Sequence, residues 1–126
     1  MDMRTPRARV KGWGSAKAGT GHFISQRMSA IALAVLAPFF LVTFAGALGL
    51  PWAEAAGVYR SPFNAIVAAL FLAAAFYHLS LGLQVVIEDY VHSPGLRTGS
   101  LIAVKLGAAI LGFASVFAVA MLAFSV

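Results

Sequence analysis

Three stretches of this chain are each long enough and apolar enough to cross a lipid bilayer, and they account for most of its 126 residues. The body of the first opens at Met28 within a span from about Phe23 to Leu50. The second runs from about Pro62 to Ile87, and the third from about Gly99 to Phe124. A hydrocarbon core of about 30 Å needs about 20 apolar residues in helical form, and each stretch meets that length. Only helices and closed barrels satisfy every backbone polar group in lipid. Runs of this length without two-residue alternation therefore predict an all-α membrane protein of three transmembrane helices. Charged residues make up 10% of the sequence, against about 25% in soluble domains. A water-exposed globule is excluded, and no room remains for a separate soluble catalytic domain.

Two segments lie outside the spans. Residues 1–20 form a basic, Gly-rich tail without periodicity, and residues 21–126 form the transmembrane domain. The tail reads as a flexible arm over the membrane surface or against a partner, with Trp13 at headgroup level or inserted into that partner. The apolar run from Ile31 to Leu50 exceeds the 7–15-residue core of a signal peptide, so it reads as a retained span. Pro38 within it predicts a kink. The loop between the first two spans offers Trp52 and Tyr59 as interfacial aromatics. Gly107, Ala108, Gly112 and Ser115 give the third span a small-residue face for close packing.

Basic residues orient the spans. The tail holds Arg4, Arg7, Arg9, Lys11 and Lys17; the second loop and the start of span three add Arg97 and Lys105; the first loop has only Arg60. The positive-inside rule then places the amino terminus and second loop in the cytoplasm. A basic tail beside a transmembrane helix signals that side of the membrane rather than nucleic acid. The sequence contains no cysteine, which removes disulfides, thiolate ligands, iron–sulfur ligation and covalent haem attachment from consideration.

The sharpest chemistry lies in the segment from Phe76 to His92. His78 and Asp89 are eleven residues apart, close to three helical turns, so they share a stripe and are separated by roughly 16 Å along the axis. An imidazole thus sits at membrane depth, with the Asp89–Tyr90 pair at the membrane surface. An ionisable group inside a transmembrane helix is a functional candidate by default. On residues alone, His78 can be a hydrogen-bonded packing residue, a proton relay or a haem axial ligand. Gly82, one turn on, clears bulk either for helix packing or for a flat macrocycle. Arg27 can snorkel as a cytoplasmic anchor or pair with carboxylates, with Gln26 and Ser29 as hydrogen-bonding groups beside it. Asp89 sits at a helix carboxyl end, where an acidic group opposes the helix dipole. A phenol such as Tyr90 can donate a hydrogen bond to a quinone carbonyl. His92 and Glu88 read as solvated.

Arg27-x-Ser29-Ala30 opening span one and His78-x3-Gly82-x6-Asp89-Tyr90 closing span two resemble the small hydrophobic membrane-anchor subunit of succinate dehydrogenase (respiratory complex II, the D subunit). The resemblance covers about residues 19–124. The run from Gly82 to Val91 is most similar to proteobacterial and mitochondrial-type members. It implies a three-helix anchor that packs with a second cytochrome b anchor subunit around a shared haem b. His78 would be an axial ligand of the haem iron, Arg27 and His22 would lie by the haem propionates, and Tyr90 with Asp89 would hold ubiquinone. It further implies flavoprotein and iron–sulfur partner subunits, a bacterial inner-membrane location and no catalysis by this chain alone. Two alternatives stand beside it: a haem-free structural anchor of a fumarate reductase-type complex, and a small proton-coupled transporter using His78 and Asp89.

Overall fold

In a computed structural model, residues 5–10 and 17–125 are described. They form five helices: α1 (Pro6–Val10), α2 (Lys17–Ala47), α3 (Trp52–Val58), α4 (Pro62–Tyr90) and α5 (Pro94–Phe124). Trp13 lies outside the described residues. Membrane-length segments occur in α2, α4 and α5: Thr20–Ala47 with 28 residues, Pro62–Tyr90 with 29 and Pro94–Phe124 with 31. At 1.5 Å per residue each extends about 42–46 Å, longer than the hydrocarbon core, so their ends reach the headgroup layers. The all-α, three-span architecture is as expected from sequence.

The helix limits differ from that expectation for local reasons. The first long helix starts at Lys17, so four residues assigned to the tail are helical. It stops at Ala47 rather than continuing to Leu50, because Gly49 adopts φ +79° and Pro51 follows. Pro38 lies inside α2, and the helix continues through it. The first loop contains the short helix α3, which buries Ala56, and the Asn64 side chain donates to the Val58 carbonyl at 2.8 Å, tying that loop to α4. At the other end α4 runs on to Tyr90, and Pro94 opens α5 in its first turn, where proline is favoured. The second loop thus shrinks to Val91–Ser93.

The middle long helix, α4, touches both α2 and α5 and runs antiparallel to each. Phe40 of α2 stacks on Phe71 at 4.3 Å between centroids, and Phe39 meets Phe63 edge-on at 6.2 Å. The late part of α2 therefore pairs with the early part of α4. The tightest packing is between α4 and α5, around Ala65, Ala68 and Val119; Ala68 is only 1% exposed. Small residues there let the two backbones approach, the usual basis of helix association in lipid. Gly112 shows how close: a Cβ added there would lie 3.2 Å from Phe76 Cβ, whereas Gly107 has nothing within 4 Å. Of the two glycines in the predicted small-residue face, only Gly112 sits at a contact. Much of the remaining apolar surface is exposed, including Val42, Phe113 and Phe124, as suits helices long and apolar enough to cross a membrane.

Candidate functional site

One seam between α2 and α4 brings polar side chains of the two helices together within the membrane-length segments. On α2, His22, Gln26 and Ser29 are spaced four and then three residues apart, so they form a polar stripe on one face of the helix. Ser29 is buried at 7% exposure, and His22 and Gln26 are half-buried. Opposite them α4 presents His78. Its Nδ1 lies 2.9 Å from Ser29 Oγ, and its Nε2 lies 3.5 Å from the Gln26 carboxamide nitrogen. Ser29 also donates to the Gln26 backbone carbonyl at 3.1 Å. One ring nitrogen is therefore held by a good hydrogen bond. The other faces a contact at the outer limit of hydrogen-bonding distance.

Two buried polar atoms in this stripe, His22 Nε2 and Gln26 Oε1, have no hydrogen-bond partner among the described residues. Unsatisfied buried polar groups are costly and uncommon in folded proteins, so a stripe carrying two of them calls for an additional partner. Gly82, one turn beyond His78, faces the same seam: a Cβ there would come 3.9 Å from the Gln26 amide nitrogen, an ordinary contact. Its lack of a side chain leaves room next to the carboxamide. Among the described residues, no group of three or more His, Cys, Asp and Glu side chains comes together. His78 is the imidazole that α4 brings to this seam.

The remaining predicted residues stand apart from the seam. Arg27 is exposed, with its guanidinium 5.1 Å from the centre of the Phe23 ring. At 100° per residue it projects well around α2 from Gln26 and Ser29, so the structure does not bring it to His78. Ser29 and Gln26, grouped with Arg27 from sequence alone, instead serve His78 across the seam. Their value was signalled by the 22–26–29 spacing, but the pairing with a residue 49 positions away leaves no trace in a single sequence. Asp89 and Tyr90 lie in the last turn of α4. Both are exposed, Tyr90 at 77%, and neither forms an ion pair or hydrogen bond among the described residues. Glu88 accepts from Gln84 Nε2 at 2.8 Å and so is tied into the α4 surface. His92 is exposed beyond the helix end. The end of α4 and the start of α2 lie on the same side of the bundle, since the two helices are antiparallel.

Comparison with known proteins identifies the family of the chain. The family model described as "Succinate dehydrogenase/Fumarate reductase transmembrane subunit" matches residues 1–125. A succinate dehydrogenase hydrophobic membrane anchor subunit of Paracoccus denitrificans is 34% identical over 120 residues, covering 95% of this chain and 92% of the relative. The subunit of the same name in Rickettsia bellii is 37% identical over 111 residues, covering 83% and 84%. No solved structure matches. With the match running from the first residue through all three spans and the polar seam between them, the chain belongs to the succinate dehydrogenase/fumarate reductase transmembrane subunit family.

Proposed function

We propose that this chain is the hydrophobic membrane anchor of a succinate:ubiquinone oxidoreductase in a bacterial inner membrane, where it supplies one axial ligand to a b-type haem and one wall of a ubiquinone pocket. The observation that carries the proposal is His78. It is a lone imidazole at membrane depth, hydrogen-bonded at Nδ1, with Nε2 facing only a flexible carboxamide.

The residues present fit a haem. A neutral imidazole is the common nitrogen ligand of haem iron, and the side chain over Nε2 is one that can rotate away. The unpartnered atoms of His22 and Gln26 supply polar contacts for the edge of a porphyrin, and the glycine at 82 leaves space beside them. A second axial histidine would come from a second cytochrome b anchor subunit, because this chain has no other histidine at that depth. Arg27, unpaired with any carboxylate among the described residues, provides a guanidinium for propionates, and His22 stands five residues before it on α2. A haem bound there supplies a one-electron redox centre within the membrane.

Tyr90 and Asp89 stand about 18 and 16 Å from His78 along α4, at the membrane face where α2 begins. Basic residues mark that face as cytoplasmic, and flavoprotein and iron–sulfur subunits docked there would deliver electrons from succinate. The Tyr90 hydroxyl donates a hydrogen bond to a ubiquinone carbonyl, fixing the ring within electron-transfer range of the iron–sulfur subunit. Asp89 orients that end and passes protons to the reduced ring. This chain carries out no reaction alone. It anchors, positions and excludes water.

One observation favours a second reading. Contacts to Ser29 and Gln26 already engage both ring nitrogens of His78, as a packing histidine in a haem-free anchor would require. Purification in mild detergent, followed by a reduced-minus-oxidised spectrum, separates the two. The proposal expects flavin and iron–sulfur polypeptides to co-purify with a b-type band. Co-purification without that band would leave only the haem-free anchor, and a chain that purifies alone would overturn both.

A further inference from the structure

A neutral imidazole carries one proton, and the partner of each ring nitrogen decides where it resides. At His78 both partners select the same tautomer. The single proton of the Ser29 hydroxyl goes to the Gln26 backbone carbonyl, 3.1 Å away, the local back-bonding that serine adopts within helices. A hydroxyl committed in this way turns its lone pairs to His78 Nδ1 at 2.9 Å, the arrangement that matches a hydrogen on Nδ1. The Gln26 carboxamide nitrogen has only hydrogens to offer, so its position 3.5 Å from Nε2 suits a bare Nε2. The opposite tautomer would require Ser29 to turn its proton onto the ring and Gln26 to turn its oxygen to Nε2. That arrangement would leave no lone pair for a metal.

We propose that Ser29 is a positioning residue for His78: its hydroxyl accepts the Nδ1 proton, fixes the ring against α2 and leaves the Nε2 lone pair available for iron. The inference rests on the haem reading above and deepens it by naming the group that prepares the ligand. Histidines that bind metals donate their other N–H to a fixed acceptor, which orients the ring and raises its basicity. Ser29 has the burial this role needs, at 7% exposure, so water does not compete for the Nδ1 proton. Gln26 is a weak cap on Nε2, and its carboxamide is the group that moves aside when a ligand arrives.

The test uses the assembled complex with Ser29→Ala, Ser29→Thr and His78→Ala. Assembly is read from flavin content, and the haem from its content per flavin and its reduction potential. Loss of an outer partner of a ligand typically costs 10–100-fold in metal affinity, and Ser29→Ala is expected to lose haem affinity in that range. A more basic imidazole favours ferric over ferrous iron, so the potential of the residual haem should rise. A tenfold preferential loss of ferric affinity corresponds to about 59 mV for one electron. Ser29→Thr retains the hydroxyl and is expected to keep the wild-type affinity and potential. Should Ser29→Ala fail to assemble, Ser29→Cys keeps a side chain of the same branching with a weaker acceptor and should raise the potential in the same direction. Wild-type affinity and potential in the Ala or Cys variant, with haem still lost in His78→Ala, would overturn the role of Ser29 alone. Unchanged haem in His78→Ala would overturn the ligand assignment beneath it.

Discussion

Replacing Gly112 tests how tightly α4 and α5 are held. A Cβ at that position would lie 3.2 Å from Phe76 Cβ, 3.6 Å from its Cγ and 3.7 Å from its Cδ2. The first of these atoms is fixed by the α4 backbone and cannot rotate away, so relief requires the two helices to separate by a few tenths of an ångström. That separation would loosen the seam along Ala65, Ala68 and Val119, where small residues permit close approach. Overpacking of this kind costs about 1–3 kcal/mol. Alanine regains up to about 1 kcal/mol over glycine as a helix former, which leaves Gly112→Ala destabilising by about 1 kcal/mol. Gly112→Leu adds three more carbons into space held by the Phe76 ring and should exceed 3 kcal/mol. Gly107, on the same helix with nothing within 4 Å, is the control, and Gly107→Ala should be neutral or slightly stabilising. Thermal unfolding of the detergent-solubilised complex, followed by loss of assembled subunits, ranks the four proteins. If Gly112→Leu melted with the wild type, the close α4–α5 contact would be refuted. Equal losses at positions 107 and 112 would refute the distinction between them.

Other outcomes follow from the same geometry. Tyr90→Phe removes the hydroxyl from an exposed phenol at the α4 end and should impair ubiquinone reduction by the complex at least tenfold; dye reduction by the flavoprotein should be unchanged, and parallel assays of the two activities check it. Gly49→Ala places a side chain at φ +79°, a left-handed conformation costing about 1–2 kcal/mol for an L-residue. It should therefore lower thermal stability, whereas Gly46→Ala, within helical backbone and with nothing within 4 Å, should not.

Much of the fold was legible because membrane crossing is a one-dimensional constraint: length and apolarity suffice to find α2, α4 and α5. Their ends were less legible. The end of α2 depends on a positive φ at Gly49, which a glycine allows but does not announce. The short α3 stands in a loop where Ala-rich residues form a helix against the bundle. No breaker interrupts α4 before Val91, so Asp89 and Tyr90 fall within it. At the site, His78 is visible in the sequence as the one imidazole deep in an apolar run, and the residues alone leave packing, proton relay and haem ligation open for it. Its partners were not visible. Ser29 and Gln26 seemed neighbours of Arg27 along the chain, yet the helix turns Arg27 outward while it points the other two at α4. Contacts between helices depend on rotation about each axis, which a single sequence with weak amphipathicity does not fix.

The central claim concerns the ring nitrogen of one histidine, and the haem-to-flavin ratio of the complex carrying His78→Ala measures it most directly. That variant should assemble, retain its flavin and lose the b-type band in the reduced-minus-oxidised spectrum. A full haem complement with an unaltered band in that variant would contradict it.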